Sequence, residues 1–240
     1  MPFELVCYLN FGYPSIEDGI KDAQLYVDNG CRALQLDIPS RDPYLEHPFI
    51  QERMKACLKR EPNYEAYFDG IRRIRAANPD VAIYLMLYEK TVEEIGPEHI
   101  AAFCREVGIQ YTSYVGLSEN VKHRLEMGGV GICCYVQYHL PDDEVQFAKT
   151  SSGPVLYQAK CVGRRHEGCE TFHDGVEFLR NAGLKMPIYA SVGIRTPEDI
   201  RTVRSAGADG AFIGSVLMNS LHDREAFSAV MRDFSNAAKE

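Results

Sequence analysis

The sequence predicts an α/β chain folded as a single-domain (βα)8 (TIM) barrel. Three observations carry this expectation. The 240 residues fall within the roughly 200 to 250 that such a barrel needs. Short apolar, β-branched or aromatic runs alternate with longer helix-period stretches, the pattern of parallel strands joined by crossover helices. Several of the intervening stretches end in a glycine suited to the left-handed turn that closes a helix.

In chain order, the first strand run is Leu5 to Phe11, and an amphipathic stretch from Ser15 to Asn29 follows, closed by Gly30. The next runs are Ala33 to Ile38, Val81 to Leu87, Tyr111 to Val115 and Gly131 to Gln137. Val155 to Ala159, Ile188 to Val192 and Gly210 to Ile213 complete the eight. Helical stretches at His99 to Glu106 and Pro197 to Ala206 stop at Gly108 and Gly207. An open doubly wound sheet would place a glycine-rich turn after the first strand. The segment there, Asn10-Phe11-Gly12-Tyr13-Pro14, is no dinucleotide fingerprint, so a closed barrel over 1–240 is preferred.

An apolar share of 45% supports a sizeable core, and glycine and proline are spread along the chain rather than gathered in a linker. The net charge of −8, with no basic cluster interleaved with aromatics, argues against nucleic acid or an anionic membrane as partner. An anionic ligand must therefore be held locally. The eight cysteines form no C-x-x-C pair, and no apolar run reaches the ~18 residues of a membrane span. Reduced, mostly buried thiols in a cytoplasmic protein are expected, with adjacent Cys133 and Cys134 on opposite sides of a strand. The seven histidines are scattered, and His166 and His173 lack a ligand-like pattern, so neither a metal nor another cofactor is expected.

In such barrels the chemistry sits just beyond the C-terminal ends of the strands, where loops seven and eight commonly hold a phosphate. The seventh run ends in Ser191-Val192-Gly193-Ile194-Arg195. Thr196 then suits a helix cap, Pro197 a first helical position, and Glu198 and Asp199 the positive end of the dipole. The eighth ends in Phe212-Ile213-Gly214-Ser215, and Gly163 follows the sixth. These glycines permit close backbone approach to an anion or serve only as turns. Arg195 either neutralises the phosphate or is solvated.

Four stretches in order resemble the tryptophan synthase alpha subunit family: Tyr8 to Pro14, Ala33 to Pro48 with Ile50-Gln51, Tyr157 to Gly163, and Gly193 to Ser215. The stretch from Ala33 to Gln51 is similar to that family's E-L-G-x-P-F-S-D-P-x-A-D-G-P-x-I-Q signature, in variant form. The resemblance implies retro-aldol cleavage of indole-3-glycerol phosphate to indole and glyceraldehyde 3-phosphate, with indole passed to a partner beta subunit. It further implies that Gly163, Gly193, Gly214 and Ser215 hold the phosphate, while Tyr88 and Tyr157 line the substrate cavity. Tyr8 and Tyr44 add polar groups near it.

Several positions depart from the family. The strand-two glutamate is Gln35, whose amide is no proton donor or acceptor near neutral pH, and loss of such a group typically costs about 10²- to 10⁴-fold in rate. The loop aspartate is Glu46, and Asp37 replaces a glycine. Strand alternation puts Gln35 and Asp37 on the same, barrel-facing side. Asp37 and Glu46 then form a relocated acid/base pair, or Asp37 merely bridges Arg41 or caps its loop. Gly116, Lys90 and Arg41 stand where the family has Asp, Asn and Ser, on loops that face the beta subunit in the family, which puts docking in question. Two alternatives remain: a catalytically altered paralogue that binds another phosphorylated ligand, and a class I aldolase using Lys160. If Tyr157 and Ala159 face inward, alternation turns Lys160 outward and disfavours the imine.

Overall fold

The computed structural model describes residues 2–160 and 163–240. Eight parallel strands close a barrel in sequence order: β1 (Glu4–Leu9), β2 (Ala33–Asp37), β3 (Ala82–Tyr88), β4 (Tyr111–Val115), β5 (Gly131–Val136), β6 (Val155–Gln158), β7 (Ile188–Ser191) and β8 (Gly210–Ile213). The helices are α1 (Ile16–Asp28), α2 (Pro48–Arg60), α3 (Tyr64–Ala77), α4 (Glu89–Ile95), α5 (Pro97–Val107), α6 (Glu119–Met127), α7 (Asp142–Ala148), α8 (Phe172–Asn181), α9 (Pro197–Ser205), α10 (Ser215–Ser220) and α11 (Arg224–Ala237). The contacts gather into two compact units, one formed by 1–7 with 132–240 and the other by 8–131.

The helix ends follow from local chemistry. Ser15 caps α1 by accepting from the Asp18 N–H, and Gly108 closes α5 in the left-handed conformation. Gly30 and Gly207 also take positive φ, at 89° and 95°.

Register assigns side-chain direction within each unit. In 8–131, Gln35 is level with Tyr84 and Tyr111, and Asp37 with Met86 and Ser113. Row partners on parallel strands point the same way, so Gln35, Asp37, Met86, Tyr88 and Ser113 share one side of the sheet. In the other unit, Leu156, Tyr189, Gly210 and Glu4 form one row, and Tyr157, Ala190 and Ala211 lie in the next, on the opposite side.

Seven cysteines are free and buried, and Cys161 lies outside the described residues. Cys134 turns to α7, its Sγ 3.8 Å from the Phe147 carbonyl, while Cys133 faces the other way, toward Glu4. Among the described residues, no helix is long and apolar enough to cross a membrane.

Candidate active site

The unit 8–131 gathers four of the residues singled out above. Asp37 closes β2 and is fully buried. Its Oδ1 accepts from the Phe11 N–H at 2.5 Å, and its Oδ2 accepts from the Tyr8 hydroxyl at 2.9 Å and the Asn10 amide at 2.5 Å. Burial pushes this carboxyl up to about 7 even though all three donors favour the anion, and nearby Glu46 adds to the rise. Arg41 is not its partner, since that guanidinium lies 3.4 Å from Glu94. The loop that Asp37 caps is the one after β1, not its own.

Glu46, in the β2–α2 loop, is half-buried and accepts from the Tyr88 hydroxyl at 2.9 Å. Burial raises its pKa, and the Tyr88 hydrogen bond works in the opposite direction. Burial, then the charges of Asp37 and Glu46, keep the Tyr8 phenol protonated, and the Tyr88 phenol is held neutral in the same way. Tyr8, Asp37, Glu46 and Tyr88 are thus one coupled group of two carboxyls and two phenol donors. Gln35 is pinned one row away, its amide donating to Ser113 Oγ at 2.7 Å.

Beside this group, a cavity of about 350 Å³ is lined by Tyr44, Tyr88, Glu89, Lys90, Gly116 and Leu117, among others. Tyr44 packs edge-on against Tyr88, with ring centroids 5.9 Å apart. Glu89 Oε2 accepts from the Tyr114 hydroxyl at 2.6 Å and from the N–H groups of Leu117 and Ser118, both at 2.9 Å. A Cβ on Gly116 would lie 2.3 Å from that same oxygen. A carboxylate therefore occupies the place where a side chain at 116 would stand, reaching in from the end of β3.

The unit formed by 1–7 and 132–240 carries the glycine loops. Gly193 has φ +97° and faces Lys160 so closely that a Cβ there would lie 2.4 Å from the lysine Cβ. Gly163 has φ +121°, and its Cβ would approach the Tyr138 hydroxyl at 2.7 Å. Only glycine fits either position without strain. Val192 nonetheless takes φ 63°, a costly conformation for a β-branched residue and one that tends to mark ligand loops. The loop after β7 is set by Asp199, whose Oδ2 accepts from the N–H groups of Arg195 and Thr196 at 2.8 Å each, while Thr196 completes the capping box. Arg195 is exposed. Gly214 stands at the N-terminus of α10 without a side-chain cap, and Ser215 is exposed at its first position.

Tyr157, expected to line the substrate cavity, turns instead to the helix layer. Its ring stacks on Phe172 at 5.0 Å, its hydroxyl donates to the Tyr138 carbonyl at 3.3 Å, and a Cβ on Gly175 of α8 would lie 2.0 Å from that hydroxyl. It fills a notch in the helix layer. With Tyr157 turned to α8, the premise that sent Lys160 outward fails; Lys160 lies two residues beyond the end of β6, where alternation no longer applies, and its side chain packs against Gly193. Imine chemistry gains little from this, because the half-exposed Lys160 ammonium is paired with Asp199 at 3.4 Å.

Sequence reasoning passed over Asn10, Ser113 and Glu89. Asn10 had a legible signal, a polar side chain one pleat beyond Tyr8. Ser113 and Glu89 matter only through cross-strand register, which one sequence does not display.

The profile of a family described as tryptophan synthase alpha chain matches residues 3–239. The tryptophan synthase alpha chain of Salmonella paratyphi C is 26% identical over 245 residues, covering 98% of this chain and 91% of that protein. A tryptophan synthase alpha chain structure from Legionella pneumophila superposes with a TM-score of 0.82 at 22% identity, covering 99% of this chain and 92% of the other. A structure of tryptophan synthase from Mycobacterium tuberculosis gives 0.84 at 17% identity, covering 100% and 93%. A further structure, from Aquifex aeolicus, gives 0.85 at 22% identity, covering 100% and 94%.

Proposed function

The chain belongs to the tryptophan synthase alpha chain family, and from that premise we propose that it is a lyase that cleaves indole-3-glycerol phosphate to indole and glyceraldehyde 3-phosphate with acids moved away from position 35. A retro-aldol step removes the proton of the glycerol hydroxyl, breaks the bond to the ring carbon, and returns a proton to that carbon. One group must accept a proton and one must deliver it. Glu46, the less buried of the two carboxyls, touches the substrate. Asp37 stands behind it and exchanges its proton through the Tyr8 hydroxyl. Gly163, Gly193, Gly214 and Ser215 hold the phosphate, and 1–240 acts as one catalytic domain in a cytoplasmic setting.

The observation that carries this reading is the coupled group itself: two carboxyls with raised pKa, Asp37 bonded to Tyr8 and Glu46 to Tyr88, close enough that the charge of Glu46 acts on Asp37. Carboxyls pushed toward neutrality and coupled to one another are what proton transfer at neutral pH requires.

Indole release by the purified chain tests it. Glu46→Gln should lower the rate by about 10²-fold or more, and Asp37→Asn should lower it as well. Unchanged rates in both variants would remove the relocated pair. A tryptophan synthase beta subunit should raise turnover if the loops bearing Tyr44 and Leu117 dock it, and a flat response would leave this chain acting alone. A second reading, another phosphorylated ligand, is favoured by the bulk of Asp37 where the family keeps a glycine. Silence in the unmodified chain and in Gln35→Glu would select it.

A further inference from the structure

The Asn10 side chain belongs to a residue only 2% exposed, and of its two ends only the amide nitrogen has a hydrogen-bond partner among the described residues. Its Nδ2 is fixed on Asp37 Oδ2, while its buried Oδ1 meets no hydrogen-bond partner among the described residues. A buried amide oxygen left in this state is costly and uncommon in native proteins, so its presence calls for a cause. Asn10 follows β1 by one residue, and strand alternation places it on the side of Tyr8, one pleat nearer the C-terminal mouth. The groups close by are ill suited to satisfy it. Tyr8 gives its proton to Asp37 and Tyr88 gives its proton to Glu46, so both phenols are committed to carboxyls.

We propose that Asn10 Oδ1 is a specificity-determining acceptor that reads one N–H or O–H donor on the ring of the substrate, with Asp37 as the group that holds the amide in place. Asp37 thereby has a second task. By binding Nδ2, it keeps the amide nitrogen turned toward itself and the oxygen turned away, so the site presents a fixed acceptor rather than a rotatable amide. This division of labour explains why a fully buried carboxyl with three donors belongs beside a binding site that it need not touch.

The inference rests on the lyase reading for its choice of ring, and the test separates the two. Binding is measured on the full chain by calorimetry with two isosteric pairs, indole against benzofuran and phenol against fluorobenzene, which differ in a single donor. The unmodified chain should prefer the donor-bearing member of a pair by about 10-fold or more. Asn10→Leu, close to isosteric but without an acceptor, should bring the pair to within about 2-fold, chiefly by weakening the donor-bearing member. Asn10→Val, smaller and likewise without an acceptor, should do the same if the leucine variant does not fold. Glu46→Gln should retain the preference. Discrimination in the phenol pair alone would uphold the acceptor and remove indole as the ring. Discrimination in neither pair, or discrimination that survives both Asn10 variants, would overturn the inference. So would a preference that vanishes in Glu46→Gln, since the donor would then be read by Glu46.

Discussion

A carboxyl with no solvent exposure and three donors closes β2. Asp37 has a folded pKa of about 7 against an ordinary 3.8, so the folded state holds its proton more tightly than the unfolded chain does. The stability this contributes is fully present below about pH 4 and is lost as pH rises through about 7. The difference of about three units corresponds to roughly 4 kcal/mol at most. Asp37→Asn should therefore flatten the dependence of unfolding free energy on pH between 4 and 8, measured by urea titration at several pH values. The flattening will be partial, because Asp22 is raised to about 6 and Glu46 is raised as well, each with the same sign. A variant whose pH slope equals that of the unmodified chain would mean that Asp37 is ionised across the range. The site is legible in the sequence as residue types at strand ends: Tyr8, Asp37, Glu46 and Tyr88 all stand out there, and the structure unites them. The family resemblance put Tyr157 at the cavity, and alternation could not correct it, because alternation fixes which residues share a side but not which side faces the barrel. The missing phase is present elsewhere, in a glycine set among apolar residues of the facing helix.

That glycine belongs to α8, where Gly175 lies on the buried stripe with Phe172, Val176 and Leu179. In an ordinary helix interior, alanine would be favoured over glycine by about 1 kcal/mol. Here its Cβ would press on the Tyr157 hydroxyl at 2.0 Å and on the ring behind it at 2.6 Å. Gly175→Ala should instead destabilise the protein by about 1–3 kcal/mol, the usual cost of overpacking, as a lowered denaturation midpoint. A gain in stability would show that the tyrosine gives way freely. The cap of α9 is the opposite case, fully legible beforehand from Thr196-Pro197-Glu198-Asp199. Thr196→Ala removes the oxygen that accepts from the Asp199 N–H and should cost about 1 kcal/mol. Strand cores are as legible as the cap, with β4 and β8 falling on their expected limits and the others ending a residue or two away. Ends shift because a strand stops where its partner stops, and pairing across the barrel is not written in either strand alone.

At the scale of the molecule, a net charge of −8 opposes any phosphate, so the phosphate binding proposed above would have to come from a few N–H groups and one helix start in the loops after β6, β7 and β8. These loops are built for close approach, with Gly163 and Gly193 at φ values that side chains rarely take and Val192 strained beside them. Asp199 already accepts from Arg195 and Thr196, which fixes the loop but commits those two N–H groups to the protein itself. A phosphate held there as proposed is thus left with Gly163, Gly193, Gly214 and Ser215 as its hosts. A ligand that binds only the folded state stabilises it by about 2.7 kcal/mol at 100 times its Kd. For a chain of this length, that amounts to roughly 5–10 °C in Tm. Glyceraldehyde 3-phosphate should produce a rise on this scale, and inorganic phosphate a smaller one. Ser215→Asp places an exposed carboxylate against the phosphate and should abolish both rises, while the ligand-free stability changes by no more than about 0.5 kcal/mol. If the rise persists in Ser215→Asp, the anion is held elsewhere on the chain, and the assignment of the β8 loop falls with it.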